Sequence, residues 1–88
     1  MNCRIRYDPS RSCGGSGLSV YVSNRHPHDD YIATIEVTAR YSEGTNIFVE
    51  EELVYSGQEK LIGCTLSEGS GFAVFEYAIL SEKNVGSL

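Results

Sequence analysis

The chain has 88 residues, enough for one domain with a single modest core. Hydrophobic residues make up 41% of it, with six tyrosines and three phenylalanines, which excludes a disordered chain. The net charge of −5 argues against nucleic-acid binding, which needs clustered lysine and arginine, and no apolar run approaches the ~20 residues of a membrane span.

Residues 1–17 predict an N-terminal edge strand followed by a glycine- and serine-rich loop. Cys3, Ile5 and Tyr7 alternate on one side of the strand, and Asp8-Pro9-Ser10 is a turn signal. The first six residues lack the apolar stretch of a signal peptide, which favours a cytoplasmic protein. A secreted protein would need a leader that had already been removed.

Residues 18–23 alternate cleanly and predict a strand with Val20 and Val22 facing inward. Tyr21 falls on the opposite parity, between Ser19 and Ser23. Because tyrosine is enriched at binding hot spots, Tyr21 is a candidate contact residue.

Residues 24–30 form a polar loop that carries the candidate metal ligands. In an extended segment His26 and His28 point the same way, and Asp29 and Asp30 add carboxylates. Imidazole and carboxylate suit a divalent transition metal such as Zn, Ni or Cu. A closed site needs about four ligands, however, and Asp, Asn, His and Pro are also ordinary loop residues.

Residues 31–41 give the clearest pattern in the chain. Tyr31 and every second residue after it are apolar, including Ile35 and Val37, and the other parity is mostly polar. This pattern is typical of an antiparallel strand with one buried face and one wet face.

A second run, residues 45–55, follows the turn signal Ser42-Glu43-Gly44. A two-residue loop at Glu43-Gly44 would turn the apolar residues of the two runs to opposite faces. We therefore predict a loop of three or five residues, pairing Ala39 with Val49 and Ile35 with Leu53. The alternative is that the two strands lie in different sheets.

This register brings acidic residues to the wet face, with Glu36 opposite Glu52 and Glu50 opposite Thr38. Glu36, Glu50 and Glu52 are therefore candidate binding residues for a basic partner, although a solvated face has the same composition. Glu51 falls on the apolar parity, which predicts a bulge or a sheet edge near residues 50–52.

The last strand pair is predicted over residues 61–66 and 72–80, joined by a loop at 67–70. A four-residue loop sets Ile62 across from Phe75 and Cys64 across from Ala73. Residues 83–88 read as a frayed tail.

Three cysteines leave the disulfide pattern open. In a reducing compartment all three are free thiols. In an oxidising one, Cys3 and Cys13 could pair around Asp8-Pro9, leaving Cys64 as a small core residue.

Taken together, the elements predict a single all-β domain over residues 1–88, a small antiparallel β-sandwich of about six to seven strands. The alternative is a small β-barrel. In strand spacing the chain resembles immunoglobulin-like or fibronectin-like domains, although it has no tryptophan and so lacks their Cys…Trp…Cys core signature.

No arrangement of nucleophile, base and acid stands out, so we expect a non-catalytic protein. The leading hypothesis is a protein-binding or adaptor module that presents an acidic sheet face or an edge strand to a basic partner, and that self-associates through an open edge. A second hypothesis is a small metal-binding protein that uses the loop from His26 to Asp30. A third is an acidic inhibitor, or decoy, of a basic nucleic-acid-binding protein.

Overall fold

The computed structural model describes residues 1–13, 17–68 and 72–88, and within them the chain forms strands and no helix. The seven strands are β1 (Cys3–Ser12), β2 (Leu18–Asn24), β3 (Asp30–Tyr41), β4 (Gly44–Val54), β5 (Glu59–Cys64), β6 (Leu66–Glu68) and β7 (Phe72–Gly86). They form two antiparallel sheets, with strand orders β1-β2-β5 and β4-β3-β7-β6. The predicted all-β, sandwich-like architecture is confirmed as two separate sheets. The finer likeness to immunoglobulin-like or fibronectin-like domains stays a prediction.

The core lies between the two sheets, where the alternating pattern placed it. Ile35 is 0% exposed and Val37 2%, and on the facing sheet Val20 and Val22 are both 0% exposed. Each of these strands buries one parity because successive side chains point to opposite faces of a sheet. The described residues include no helix with the length and apolar character needed to cross a membrane.

The hairpin of β3 and β4 differs from its predicted register. Tyr41 pairs with Gly44, so the turn holds two residues rather than three or five, and the ladder continues without a shift to Tyr31 opposite Val54. The turn lies one residue earlier than the Glu43-Gly44 loop considered above. The prediction was wrong because it assumed that the apolar residues of β4 face the core.

The last strand pair also differs from the prediction. The stretch predicted as one strand divides at Thr65: β5 pairs with β2 in one sheet, and β6 pairs with β7 in the other. Cys64 therefore lies opposite Ser19 rather than Ala73. Thr65 connects the sheets through backbone hydrogen bonds. Its carbonyl oxygen accepts the N–H of Phe75 (2.8 Å), and its own N–H donates to the carbonyl oxygen of Leu18 (3.1 Å). Part of the predicted loop at 67–70 lies outside the described residues.

Cys13 and Cys64 form a disulfide, and Cys3 is a buried free thiol. The alternative of a Cys3–Cys13 pair with Cys64 left in the core is therefore wrong. Sequence spacing missed this pairing because β2 pairs with both β1 and β5, which brings distant segments together. Burial, helped by the nearby Glu82 carboxylate, raises the pKa of the Cys3 thiol to about 11. Cys3 therefore stays protonated at neutral pH and is a poor nucleophile.

β1 begins at Cys3 and β7 ends at Gly86, so strands extend close to both ends of residues 1–88. β1 is the predicted edge strand but continues through the predicted turn at Asp8-Pro9-Ser10 as an irregular stretch, in which the Asp8 carboxylate accepts bonds from Ser10. The centre of the glycine- and serine-rich loop, at 14–16, lies outside the described residues. At the other end, β7 extends through Gly86 and so includes most of the segment predicted as a frayed tail.

One end of the sandwich is closed by hydrogen bonds between side chains and backbone. The Glu82 carboxylate accepts the backbone N–H groups of Asn2 (2.9 Å) and Cys3 (3.0 Å). The buried Asn24 amide donates to the carbonyl oxygen of Val54 (2.9 Å). We call this end the polar end. It comprises Asn2, Asn24, Asp30, Tyr31 and Glu82.

Candidate protein-binding edge

Strand β4 is one of the two outer strands of the four-stranded sheet and pairs on one side only among the described residues. It is eleven residues long, and its ladder with β3 has no register shift. Because hydrogen-bonded and non-bonded pairs alternate in an antiparallel ladder, every second residue of β4 directs its backbone N–H and C=O away from β3. The result is a regular row of backbone donors and acceptors along an exposed edge.

The other outer strands are shorter, irregular or covered. β1 contains Pro9 and a register shift, β5 has six residues and a register shift, and β6 has three residues. β7 extends beyond β6, and there the Tyr7 hydroxyl bonds to the backbone N–H and C=O of Tyr77. Natural edge strands are protected by such features, and β4 has no proline, lysine or bulge.

Three consecutive apolar side chains are exposed on β4: Ile47 is 63% exposed, Phe48 42% and Val49 55%. In this register Ile47 and Val49 lie opposite Thr38 and Glu36, on the outer face of the sheet. Phe48 lies on the inner face opposite Val37. It is nevertheless exposed, as is every residue from 40 to 49 at this end of the hairpin. The apolar patch of Ile47, Phe48 and Val49 therefore flanks the open edge on both faces.

The acidic residues of β4 do not form the face predicted from the sequence. Glu50 and Glu52 lie opposite Ile35 and Ala33 on the inner parity, whereas Glu36 lies opposite Val49 on the outer face. The predicted pairing of Glu36 with Glu52 was wrong because, like the predicted turn, it assumed that the apolar residues of β4 face the core.

The predicted bulge near residues 50–52 is absent from the β3–β4 ladder, and the alternative, a sheet edge, is confirmed. Glu51 lies opposite Thr34 and is exposed, so it is not placed over the core. Glu52 forms an ion pair with Lys60 of β5 (2.8 Å), while Glu50 and Glu51 form none within the described chain. The C-terminal half of β4 thus carries unpaired negative charge at the edge.

Tyr21 is half-buried rather than freely exposed. The guanidinium of Arg6 lies 4.9 Å from the centroid of the Tyr21 ring, a cation–π contact, and it donates hydrogen bonds to the Glu59 carboxylate through Nε and Nη2. Arg6, Tyr21 and Glu59 thus tie the three strands of the smaller sheet together on its outer face. Whether Tyr21 also contacts a partner stays a prediction.

The predicted metal-binding loop is held in place by its own hydrogen bonds. The ring nitrogen Nδ1 of His26 accepts the backbone N–H groups of His28 (3.1 Å) and Asp29 (2.8 Å). The Asp30 carboxylate accepts the N–H groups of Ser56 and Leu88, both at 2.8 Å, and these bonds lower the pKa of Asp30 against the opposing effect of burial.

Nε2 of His26 lies 3.8 Å from Oδ2 of Asp29, which also accepts a hydrogen bond from the Asn84 amide (2.9 Å), and the ring of His28 is exposed. Within residues 1–13, 17–68 and 72–88, no group of three or more His, Cys, Asp and Glu side chains is arranged to hold a metal ion. Metal binding by this loop stays a prediction.

The sequence pointed to β4 as a strand but not to its apolar patch as an exposed surface. The signal for exposure in the sequence was the run Ile47-Phe48-Val49, which three glutamates follow at once. A strand with one wet face cannot bury side chains on both faces, so part of this apolar run has to be exposed. Comparisons with protein-family models, with curated proteins and with solved structures found no match for this chain.

Proposed function

We propose that this protein is a non-catalytic binding module that takes an extended segment of a partner protein onto the open edge of β4. The observation that carries the proposal is the combination of an unpaired, regular backbone edge with the exposed side chains of Ile47, Phe48 and Val49. Addition of a strand to a sheet edge draws affinity from main-chain hydrogen bonds and specificity from alternate side chains. β4 offers both.

The charge on β4 indicates the kind of partner. Residues 44–54 contain three glutamates and no basic residue, and Glu50 and Glu51 are free of ion pairs among the described residues. A segment with lysine or arginine facing this half of the edge would gain complementary charge, which steers association and sets register. The partner is therefore an extended segment with apolar and basic residues in alternation.

A synthetic peptide of alternating lysine and valine residues is a direct probe. Titrated into isotopically labelled protein, it should shift the backbone amide signals of β4 and slow their exchange with solvent. Its affinity should fall as salt is raised, because exposed charges are screened. Shifts centred on another strand, or affinity that is independent of salt, would overturn the proposal.

A matched pair of variants separates β4 from exposed apolar surface in general. The double variant I47K/V49K places lysines on the proposed edge and should lower affinity for the peptide by about tenfold or more. The control is L61K on β5, since Leu61 is similarly exposed at 59% and also lies on an outer strand. Equal losses in both variants would contradict an edge-specific contact.

A further inference from the structure

The sequence of β4 is complementary to itself about Phe48. When two copies of a strand pair antiparallel about a two-fold axis, the axis is perpendicular to the sheet and each side chain keeps its face. With Phe48 on the axis, Ile47 of one copy lies opposite Val49 of the other on the outer face, and the two Phe48 rings meet on the inner face. The whole apolar patch is then covered by its own counterpart.

The charges of β4 favour the same register. With Phe48 on the axis, the acidic half of each strand faces the uncharged half of the other: Glu50 opposite Asn46, Glu51 opposite Thr45 and Glu52 opposite Gly44. No carboxylate lies opposite another carboxylate, which would be destabilising.

Other registers that keep each side chain of β4 on its own face of the sheet pair the residues less favourably. Moving the axis to Val49 sets Phe48 opposite Glu50 and Ile47 opposite Glu51. Moving the axis to Ile47 sets Phe48 opposite Asn46. Moving it to Glu50 places the Glu50 carboxylates of the two copies opposite each other.

We propose that a second copy of this chain occupies the β4 edge, antiparallel and with Phe48 on the two-fold axis. The inference rests on the proposed function in one respect, that β4 is the contact edge. The dimer is a continuous sheet of four strands from each copy. Because the second copy covers the same backbone groups as an added peptide, self-association and partner binding exclude each other. Dilution therefore exposes the edge.

Cysteine cross-linking tests the register. In a Cys3→Ala background, which removes the free thiol, N46C and E50C proteins are prepared separately and then mixed under mild oxidation. The mixture should form a disulfide-linked dimer, because these positions face each other across the interface. Either variant alone should not, since its two copies of the same position are about 14 Å apart along the strand. Linking of N46C to itself, or no linking in the mixture, would overturn the proposal.

Sedimentation equilibrium tests the closed symmetry without any added cysteine. The native chain should fit a monomer–dimer equilibrium, I47K/V49K should be monomeric, and L61K should behave as the native chain does. A monomer at every concentration would overturn the inference. So would indefinite growth, which indicates β4 pairing with a different edge of the next copy.

The two proposals fail separately. A monomeric protein that still binds the lysine–valine peptide at β4 removes the dimer and leaves the proposed function. A dimer with the predicted cross-link that is not dissociated by excess peptide removes the proposed partner and leaves the self-pairing.

Discussion

The backbone N–H of Tyr77 in β7 donates a hydrogen bond of 3.2 Å to the hydroxyl of Tyr7 in β1. The same hydroxyl donates to the carbonyl oxygen of Tyr77 at 3.4 Å. One side chain thus occupies both backbone groups of a residue that lies beyond the pairing of β6 with β7. This stretch of edge is closed by the smaller sheet, whereas the smaller sheet bonds to the backbone of β4 only at its last two residues, Leu53 and Val54, among the described residues.

Replacing Tyr7 with phenylalanine should open the β7 edge at this point. We expect Y7F to lose about 1 kcal/mol of unfolding free energy, the usual worth of a hydrogen bond, and to speed hydrogen exchange at the Tyr77 amide. The control is Y55F, which removes a hydroxyl from an exposed side chain at a turn. Unchanged protection of the Tyr77 amide in Y7F would contradict the assignment.

Glu82 should make stability depend on pH in the acid range. Burial opposes ionisation of this carboxyl, but the hydrogen bonds from the N–H groups of Cys3 and Asn2 outweigh it and hold its pKa below the ordinary value. Because the pKa of Glu82 is lower in the folded chain than in the unfolded chain, its ionisation stabilises the fold. This contribution to the free energy of unfolding is present above the unfolded pKa of about 4.3 and is lost as the pH falls through the folded pKa.

We expect E82Q to be less stable than the native chain at neutral pH and to lose less stability on acidification below about pH 4. Denaturant unfolding at a series of pH values measures both effects. E43Q serves as the control, because Glu43 is exposed in the β3–β4 turn and its loss should leave the acid dependence unchanged. Parallel curves for E82Q and the native chain would refute the role of Glu82.

Reduction of the disulfide between Cys13 and Cys64 should destabilise the fold. The two cysteines are 51 residues apart, and closing a loop of that length in the unfolded chain is worth about 4 kcal/mol in the chain-entropy model. Unfolding with and without reductant measures the effect. The double variant C13A/C64A should not respond to reductant, while C3A should respond as the native chain does. Loss of the response in C3A would show that Cys3 takes part in the pairing.

Gly63 of β5 lies against the Tyr77 side chain, whose hydroxyl donates to the carbonyl oxygen of Cys64 (3.0 Å). A Cβ added at Gly63 would overlap that hydroxyl. We expect G63A to cost about 1–3 kcal/mol, the usual range for overpacking. The double variant with Y77F should cost less than the sum of the two single changes, since removal of the hydroxyl relieves the overlap. Strict additivity in denaturant unfolding would contradict this contact.

The fold was predictable where one face of a strand meets the core. Ile35, Val37, Val20 and Val22 are buried as their alternation indicated, because two-residue periodicity and burial on one side go together. The division of one apolar stretch between two sheets was not predictable. Thr65 carries no local signal, since its role comes from bonds to Leu18 and Phe75 in different sheets.

The candidate edge was predictable only in part. The sequence indicated a bulge or a sheet edge near residues 50–52, because Glu51 falls on the apolar parity and a lone carboxylate is costly to bury. The orientation of Ile47 and Val49 was predicted wrongly, since the rule that apolar residues face inward set the register. In the structure, the turn holds two residues, and in the resulting register these two side chains lie on the outer face of the sheet. The proposed contact edge therefore lies where the rule that apolar residues are buried gives the wrong register.

The polar end and the Thr65 crossover lie at opposite ends of the sandwich, and the chain passes between the sheets at both ends. At Thr65 the chain itself passes from one sheet to the other, beside the Cys13–Cys64 disulfide. At the polar end the connections from β2 to β3 and from β4 to β5 also cross between the sheets, and hydrogen bonds, several of them to carboxylates, join the sheets further. Because carboxylate acceptors are concentrated at the polar end, we expect acid to weaken the contact between the two sheets there before it affects the end at Thr65.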